Sequence, residues 1–336
     1  MLRPILDVLV GDIGGTNCRL ALFRDHEKLF ERTYPSQEQS GLDAAVERFL
    51  EEAGKPLGAE GRPQRACFGV AGPVVADTSQ ITNLPWFIDG RALEQKLKIE
   101  RVALLNDFQA AALAVTILED KHLVSLGGQP RVKHGPCVVT GPGTGLGEAF
   151  LVWGDAEQRY QVISSEGGHV DFTPRTPLET GLYHYLAGRF GRVSCERVLT
   201  GSGLADIFRF LENEPALRPL IQEETRAAVR SEDPAAVVTR QALAGRDPIC
   251  SIAVNIFISV LGGLAGNLAL TLLATGGVYI TGGIAPRIVS LIQSGPFRES
   301  FEAKGRMQPL VAKIPAFLVV KPDLGLIGAC VQALRL

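Results

Sequence analysis

Apolar residues along the chain fall into short runs that end in glycines and polar residues. Such runs predict buried β-strands, and they lie at residues 7–11, 18–23, 66–70, 101–105, 137–140, 148–152 and 278–281. Stretches with helical spacing lie at about residues 108–118, 178–190, 203–212, 235–244, 249–273 and 325–336. Strands that alternate with helices predict an α/β fold.

Two segments share one design, in which an apolar strand, a glycine- and threonine-rich turn and a second apolar strand follow one another. The turns are Ile13–Asn17 and Gly141–Gly147. Each segment predicts a β-hairpin, and together they predict two similar α/β lobes that face a cleft. We expect the C-terminal helix to return to the first lobe, so that the small lobe comprises residues 1–117 and 322–336 and the large lobe residues 118–321.

The longest uncharged stretch runs from Pro248 to Pro286. A membrane helix needs about 20 apolar residues, so this stretch is long enough to be one. However, it contains Asn255, Asn267 and several glycine pairs, and its pattern changes from helical to strand-like at about Leu273. We therefore expect a buried core helix followed by a buried strand, and no membrane partner.

The composition is that of a globular protein. The 336 residues are 46% hydrophobic and 21% charged, and this length predicts two domains at roughly 150 residues each. The formal net charge of −2 predicts no nucleic-acid partner, because such proteins usually show a basic excess. The six cysteines show no C-x-x-C spacing, which predicts buried thiols of a reducing compartment and not a disulfide framework. The N-terminal sequence is not that of a signal peptide.

The first turn combines groups that suit phosphate and metal ions. Asp12 ends a predicted strand, and Gly14, Gly15, Thr16 and Asn17 follow it. Glycines expose backbone N–H groups to an anion, and the carboxylate can hold Mg²⁺ directly or through water. Taken alone, the same residues also fit an ordinary hairpin turn.

The second turn, Gly141–Gly147, contains four glycines. Each costs about 1 kcal/mol in regular structure, which favours a role in approaching a ligand. The pattern matches neither the dinucleotide-binding nor the P-loop motif. Pro142 lacks an N–H group, so phosphate donors must come from its neighbours. Glu148 follows this loop closely. We expect it to point outward on the strand; the alternative is that its charge weakens nucleotide binding.

Asn106 and Asp107 follow a predicted strand and precede a predicted helix. Both residue types favour the helix N-cap, so a structural role and a catalytic one are both open. Glu196 precedes Arg197 and fits a surface ion pair equally well.

Two further glycine-containing segments carry candidate chemistry. Glu166 and His169 place a carboxylate and an imidazole three residues apart across Gly167 and Gly168. Zinc would need more ligands than these two. Gly282 and Gly283 end a predicted strand, where they either leave room for a flat ligand such as adenine or simply turn the chain.

Taken in order, these segments resemble the bacterial glucokinases of the hexokinase superfamily, over essentially the whole chain. The motifs are D-I-G-G-T-N-C-R-L-A-L (12–22), T-N-L-P-W (82–86), N-D-F-Q-A (106–110), G-P-G-T-G-L-G (141–147), E-G-G-H-V-D-F (166–172), S-C-E-R-V-L-T-G (194–201), G-G-L-A-G-N-L-A-L (262–270), G-G-V-Y-I-T-G-G-I-A-P-R (276–287) and G-L-I-G-A (325–329). The cysteine-rich zinc motif of the related repressor, open-reading-frame and kinase (ROK) family is absent after His169, so the resemblance is to the branch without it.

The resemblance implies a two-lobed ribonuclease H-like α/β fold of the actin/hexokinase type, with mixed sheets and a central cleft. It implies ATP-dependent phosphorylation of the 6-hydroxyl of glucose, giving glucose 6-phosphate and ADP, with Mg²⁺ as cofactor. It further implies a cytoplasmic homodimer.

Residue roles are also implied by matching positions. Asp107 resembles the general base, and the implied ligands of the sugar hydroxyls are Asn106, Asp107, Glu166, His169 and Glu196. The implied ATP- and phosphate-binding residues are Asp12, Gly14, Gly15, Thr16, Asn17, Gly141, Gly143, Thr144, Gly145, Gly282 and Gly283. Asp12 is also the implied Mg²⁺ ligand, directly or through water.

Three other interpretations stay open at this point. The chain could phosphorylate another hexose, such as mannose, fructose or an N-acetylated hexosamine. It could be a sensor that binds sugar and ATP without turnover, although a sensor needs no general base. It could be a filament-forming actin relative, although such a protein needs no sugar ligands.

Overall fold

The computed structural model describes residues 6–54, 63–81 and 84–336. Thr82 and Asn83, the first two residues of the T-N-L-P-W motif, lie outside the described residues. The chain divides into two units. The first is Met1–Leu118 with Val162–Ser164 and Lys321–Leu336, and the second is Glu119–Gln161 with Ser165–Val320.

Two larger sheets and one small ribbon are formed by the strands of the described residues. The strands are β1 (Asp7–Ile13), β2 (Asn17–Arg24), β3 (Glu27–Pro35), β4 (Arg65–Val70), β5 (Thr78–Gln80), β6 (Phe87–Asp89), β7 (Arg101–Asn106), β8 (Leu123–Ser125), β9 (Cys137–Pro142), β10 (Leu146–Gly154), β11 (Arg159–Ser165), β12 (Gly277–Ile280) and β13 (Ala316–Val319).

The helices occupy the connections between these strands. They are α1 (Leu42–Ala53), α2 (Gly90–Leu97), α3 (Asp107–Val115), α4 (Pro177–Phe190), α5 (Cys195–Val198), α6 (Gly201–Asn213), α7 (Glu223–Ser231), α8 (Pro234–Leu243), α9 (Pro248–Leu272), α10 (Val289–Ser294), α11 (Phe297–Glu302), α12 (Gln308–Val311) and α13 (Leu324–Ala333).

The sheet of the first unit has the strand order β3-β2-β1-β4-β7. The first three strands pair antiparallel, whereas β1, β4 and β7 run parallel. Parallel neighbours bring their carboxyl ends to one edge of the sheet, and Asp12 and Asn106 both lie at that edge.

The larger sheet has the order β11-β10-β9-β12-β13-β8. Its centre repeats the arrangement of the first sheet, because β9 pairs antiparallel with β10 and parallel with β12. Both predicted β-hairpins are therefore present, as β1–β2 and β9–β10. The other predicted strands and helices are present too, with ends that differ by a few residues.

Helix α9 is the predicted core helix. By length and composition it could cross a membrane, but 78% of its most apolar window is buried. A Cβ on Gly262 would lie 2.3 Å from the carbonyl oxygen of Phe297, and one on Gly266 would lie 2.2 Å from that of Phe301. The glycines of this G-x-x-x-G pattern thus let α11 pack directly on the backbone of α9. The six cysteines are buried and free, as predicted.

Helix α13 packs on α3 in the first unit. Their contact is very close at Gly328, where a Cβ would lie 1.6 Å from the carbonyl oxygen of Ala110. No side chain fits there unless one helix moves. Because α3 begins with Asp107, this packing helps to set the position of that residue.

We expect Gly328→Ala to lower the free energy of unfolding by about 1–3 kcal/mol, the usual cost of overpacking a core, and to lower activity by displacing α3. Gly188→Ala is the matched control, because a Cβ at this helical position of α4 meets nothing within 4 Å. Thermal and denaturant unfolding would measure both variants. Equal stability of Gly328→Ala and the unmodified protein would contradict the tight α3–α13 contact.

Candidate active site

Asp12 lies at the carboxyl end of β1, paired with Arg19 of β2 and Gly69 of β4. Nη1 of Arg19 is 3.9 Å from Oδ2 of Asp12, but Nη2 of the same arginine bonds Glu31 at 3.0 Å and Asp323 at 2.5 Å. Burial raises the pKa of Asp12 above its ordinary value, against the opposing effect of Arg19. Within the described part of the chain, the cation beside the Asp12 carboxylate is therefore this distant and shared arginine.

Two glycines shape the surroundings of Asp12. A Cβ on Gly325, at the start of α13, would lie 3.1 Å from Cγ and Oδ2 of Asp12. In the hairpin turn, the N–H of Gly14 donates to the carbonyl oxygen of Asn17 at 2.9 Å. Ser36 holds the same turn, since its hydroxyl donates to the Gly14 carbonyl at 2.8 Å and its N–H to the Thr16 carbonyl at 2.8 Å. The turn is thus fixed through its carbonyl groups, while Thr16 and Asn17 are exposed.

Asn106 caps helix α3. Its Oδ1 accepts the N–H of Phe108 at 2.9 Å, and its own N–H donates to Oε1 of Gln109 at 3.0 Å. Its Nδ2 donates to the carbonyl oxygen of Gly72 at 3.1 Å. Asn106 is therefore the N-cap of α3, which is the structural role that the sequence left open. An amide carries two N–H bonds, so one remains to meet a ligand.

Asp107 is the first residue of α3, and its side chain is exposed. Its Oδ1 accepts the N–H of Phe108 at 2.8 Å. Gly69 of β4 lets α3 begin close to the sheet, because a Cβ there would lie 3.2 Å from Cβ of Ala110 and 3.8 Å from Cα of Asp107. Asp12 pairs with Gly69 of β4, and Gly69 pairs with Leu105 of β7. The strands β1 and β7 are thus about 10 Å apart, two strand spacings, and Asp107 follows β7 at the same edge of the sheet.

In the second unit, the two predicted nucleotide segments meet. The turn after β9 is closed by the N–H of Gly143, which donates to the Gly145 carbonyl at 2.8 Å. Gly282 has a φ of +87°, and a Cβ there would lie 2.4 Å from the carbonyl oxygen of Pro142. That same oxygen accepts the N–H of Ile284 at 3.3 Å. Pro142 thus joins the loop to the Gly282–Gly283 segment through its carbonyl group.

A cavity of about 1000 Å³ opens beside this junction, lined by Gly143, Thr144 and Gly283. Its other walls come from α6 and α8, with small apolar residues such as Ala235 and Ala236. The first residue of α6, Gly201, also lines it, and Gly201 donates its N–H to the Gly143 carbonyl at 3.2 Å. The partial positive charge of a helix N-terminus suits a phosphate group.

Three predicted sugar ligands lie together in the second unit. Nε2 of His169 is 3.8 Å from Oε2 of Glu166, and its Nδ1 is 3.7 Å from Oε1 of Glu196. The side chains are 77% exposed for Glu166, 57% for His169 and 32% for Glu196. An imidazole between two accessible carboxylates presents both donors and acceptors to a polar ligand.

The start of β10 connects these ligands to the loop Gly143–Gly145. The N–H of Leu146 donates to Oε2 of Glu196 at 2.9 Å. In the next peptide group, the carbonyl oxygen of the same residue lies only 2.1 Å from where a Cβ of Gly168 would be. A Cβ on Gly145 would in turn lie 2.8 Å from Oε2 of Glu196. One residue of β10 therefore supports both the Glu166–His169 segment and Glu196.

The expectation that Glu148 points outward is wrong. Its side chain is only 2% exposed, and burial raises its pKa to about 7. The reason is that β10 lies between β9 and β11, and the neighbouring residue Ala149 is buried as well. Both faces of the sheet are covered here, so strand alternation does not place a side chain in solvent.

No group of three or more His, Cys, Asp or Glu side chains that could hold a metal ion occurs in residues 6–54, 63–81 and 84–336. Magnesium does not require one, because it usually keeps several waters and binds one or two carboxylates together with substrate phosphates. Asp12, poorly compensated and next to a glycine turn, fits that role.

Comparison with known proteins identifies the family of the chain. A family model described as Glucokinase matches residues 9–336. Glucokinases of Nostoc sp. and Synechocystis sp. are 39% and 40% identical to this chain, over 98% of it and 99% and 98% of their own lengths.

Solved structures show the same fold. The glucokinase of an Antarctic psychrotroph is 31% identical, with a TM-score of 0.84 over 99% of this chain and 100% of that one. A ROK family glucokinase from Streptomyces griseus, in complex with glucose and AMPPNP, is 18% identical with a TM-score of 0.64, over 98% of this chain and 99% of that one. The predicted α/β fold of the actin/hexokinase type is confirmed, as is the family resemblance: the chain belongs to the glucokinase family.

Proposed function

We propose that this protein transfers the γ-phosphoryl group of ATP to the 6-hydroxyl of glucose, giving glucose 6-phosphate and ADP. The observation that carries the proposal is the convergence of Glu166, His169 and Glu196 around Leu146, with the glycine loop Gly143–Gly145 directly before it. A candidate sugar site and a phosphate-type loop thus meet at the start of β10.

Glucose is a ring of hydroxyl groups, each of which donates and accepts hydrogen bonds. The carboxylates of Glu166 and Glu196 accept from such hydroxyls, and the His169 imidazole does either. In the first unit, Asn106, which the family resemblance implies as a further sugar ligand, keeps a second amide N–H as a donor. A site built to bond hydroxyls rejects analogues that lack them by a large factor, so this set favours a sugar over an apolar alcohol.

The nucleotide is assigned to the cavity beside α6 and α8. Its small apolar walls suit a flat base, and the segment Gly282–Gly283 gives the base room. The loop Gly143–Gly145, Gly141 before it and the N-terminus of α6 suit the phosphates. In the first unit, the turn from Gly14 to Asn17 is the second phosphate segment.

Asp12 would hold Mg²⁺, directly or through water, and the ion would supply charge neutralisation at the phosphates. Two features of the chain suit Asp12 to binding Mg²⁺. Burial leaves the Asp12 carboxylate poorly solvated, and Gly325 keeps the space beside it open.

Asp107 is assigned as the general base that accepts the proton of the sugar 6-hydroxyl. Phosphoryl transfer depends mainly on positioning and electrostatic stabilisation, with a carboxylate to orient and deprotonate the attacking hydroxyl. The capping bonds of Asn106 fix the backbone on which Asp107 stands. Its exposed side chain is accessible to a substrate.

The cytoplasmic location, the homodimer and the place in glycolysis are further parts of this proposal. They rest on the family resemblance alone.

The direct test is glucose 6-phosphate formation by the purified protein with Mg²⁺ and ATP, with mannose, fructose and N-acetylglucosamine in parallel. We expect glucose to give the highest kcat/KM. Faster turnover of another hexose would reassign the substrate, and glucose binding without turnover of any sugar would favour a sensor.

Replacing Asp107 by Asn should lower kcat by about 10²- to 10⁴-fold, the usual contribution of a general base. Glucose affinity should change much less, because the amide still bonds a hydroxyl. Steady-state kinetics and calorimetric glucose binding would measure the two effects. Asp155→Asn, at an exposed turn after β10, is the matched control. A folded Asp107→Asn variant with nearly full kcat would exclude this residue as the base.

Replacing Gly325 by Ala should weaken the response to Mg²⁺, because the new methyl group would lie 3.1 Å from the Asp12 carboxylate. Disturbing the surroundings of a metal ligand typically costs about 10- to 100-fold in metal affinity. The measurement is activity against Mg²⁺ concentration at fixed ATP, together with the melting temperature. An unchanged Mg²⁺ dependence would argue against Asp12 as the ligand.

A further inference from the structure

Glu148 has an unsatisfied polar atom in the interior of the second unit. Its Oε1 is buried and has no hydrogen-bond partner among the described residues. Its partner across the β9–β10 pair is Thr140, whose Oγ1 is likewise buried and unpartnered. Directly paired residues point to the same face of a sheet. Two orphaned polar groups therefore share one face, although buried polar groups are nearly always bonded.

The other carboxyl oxygen of Glu148 lies under the sugar-binding segment. A Cβ on Gly167 would be only 2.0 Å from Oε2 of Glu148 and 2.9 Å from Oγ of Ser165. The N–H of Gly167 donates to that serine hydroxyl at 2.9 Å. Gly167 stands between Glu166 and His169, so the Glu148 carboxyl group is packed against the backbone that carries both.

Beside Glu148 lies a cavity of about 320 Å³, lined also by Ser165, Gly167, Asn267 and Thr271. A water molecule occupies about 30 Å³ of liquid volume, so the cavity has room for several. Glu148 lines this cavity but is only 2% exposed, so an ionised Glu148 gains hydration by turning away from Gly167 into the cavity.

The charged groups around Glu148 do not compensate a negative charge on it. Asp171 and Arg175 line the cavity, but Arg175 bonds Glu179 and Ser259. Burial is the cause that raises the pKa of Glu148 to about 7.

The other titratable and charged side chains near Glu148 belong to the elements packed around it. The sugar-binding segment carries Glu166 and His169, and α5 carries Cys195 and Glu196. Every residue of α9 that lines the cavity is uncharged. Lys304 donates to the carbonyl of Gly263 on that helix at 2.9 Å.

We propose that Glu148 is a positioning residue for the glucose-binding segment, which it holds in the present arrangement as a neutral acid and releases as a carboxylate. In this assignment Glu148 contacts neither glucose nor ATP. It acts on Glu166 and His169 through the backbone of Gly167. Glucose affinity is then linked to one proton. The inference rests on the proposed function, because it takes residues 166–169 as sugar ligands.

The direction of the pH effect follows from linkage. We call the arrangement in which residues 166–169 pack on Glu148 the seated arrangement. It raises the pKa of Glu148 from 4.5 to about 7, whereas a hydrated carboxyl group titrates near the ordinary value. The seated segment is therefore fully favoured below about pH 4.5. It loses stability as the pH rises towards 7, and the loss is complete above that. The Kd and KM for glucose should rise over this window and then level off.

The test compares the unmodified protein with Glu148→Gln, which stays neutral at every pH. Calorimetric glucose binding without ATP, from pH 5.5 to 8, is the main measurement. We expect the Kd of the unmodified protein to rise at least about threefold more than that of the variant, against a ceiling of tenfold per pH unit for one proton. The KM for ATP and kcat should not share this difference. Glu157→Gln, at an exposed position, is the control.

Every other group of the chain is present in both proteins, so the comparison isolates the effect of Glu148. Parallel pH profiles would overturn the proposal, as would a variant that binds glucose more weakly by a constant factor at every pH. Absence of glucose binding by the unmodified protein would overturn the proposed function itself, and this inference with it.

A second measurement does not depend on the variant's folding. Infrared spectroscopy of the unmodified protein at pH 7 should show a protonated carboxylic acid band that grows when glucose is added. A band that does not respond to glucose would contradict the proposal.

Discussion

The backbone of Leu146 is the feature on which the second unit's candidate site depends. Its N–H donates to Glu196, its carbonyl oxygen lies against Gly168, and the glycine loop ends immediately before it. Neither the sugar ligands nor the phosphate-type loop can move far without disturbing this one residue. An antiparallel strand start suits that task, because its backbone groups are already held in register by β9.

In the first unit, close backbone packing at glycines sets the positions of α3, α13 and the Asp12 carboxylate. Gly328 brings α13 onto α3, Gly69 brings α3 onto β4, and Gly325 keeps α13 off the Asp12 carboxylate. Each of these glycines removes a methyl group at a place where about 1–3 kcal/mol of overpacking would otherwise arise. The glycines outside the phosphate-type loops are therefore as much a part of the site as those within them.

The sequence predicted the interior of the fold better than its edges. Buried strands such as β4 and β9 are unbroken apolar runs, so their pattern is strong. The edge strand β11 alternates exposed and half-buried residues, and β3 has a single buried residue, Tyr34. Their polar sequences gave no comparable signal. The candidate site residues were predicted from ordered motifs, not from periodicity. Asn106 shows the limit of such motifs, because it is both a helix cap and a candidate ligand, and only the coordinates display the cap.

Glu148 was misjudged because strand alternation assumes one solvent-facing side, and β10 has none at that position. The buried position of Glu148 shows where the fold contains an unfavourable group, a desolvated acid with an unpartnered oxygen. An uncharged side chain of similar volume would avoid both the orphaned oxygen and the desolvation of the acid. Local conflicts of this kind tend to occur where function requires them. In this chain the conflict lies against Gly167, between two candidate glucose ligands, and on the strand that begins at the phosphate-type loop. A neutral acid at that point fills the space of an amide while keeping the capacity to ionise, and that capacity is the property that distinguishes it from glutamine.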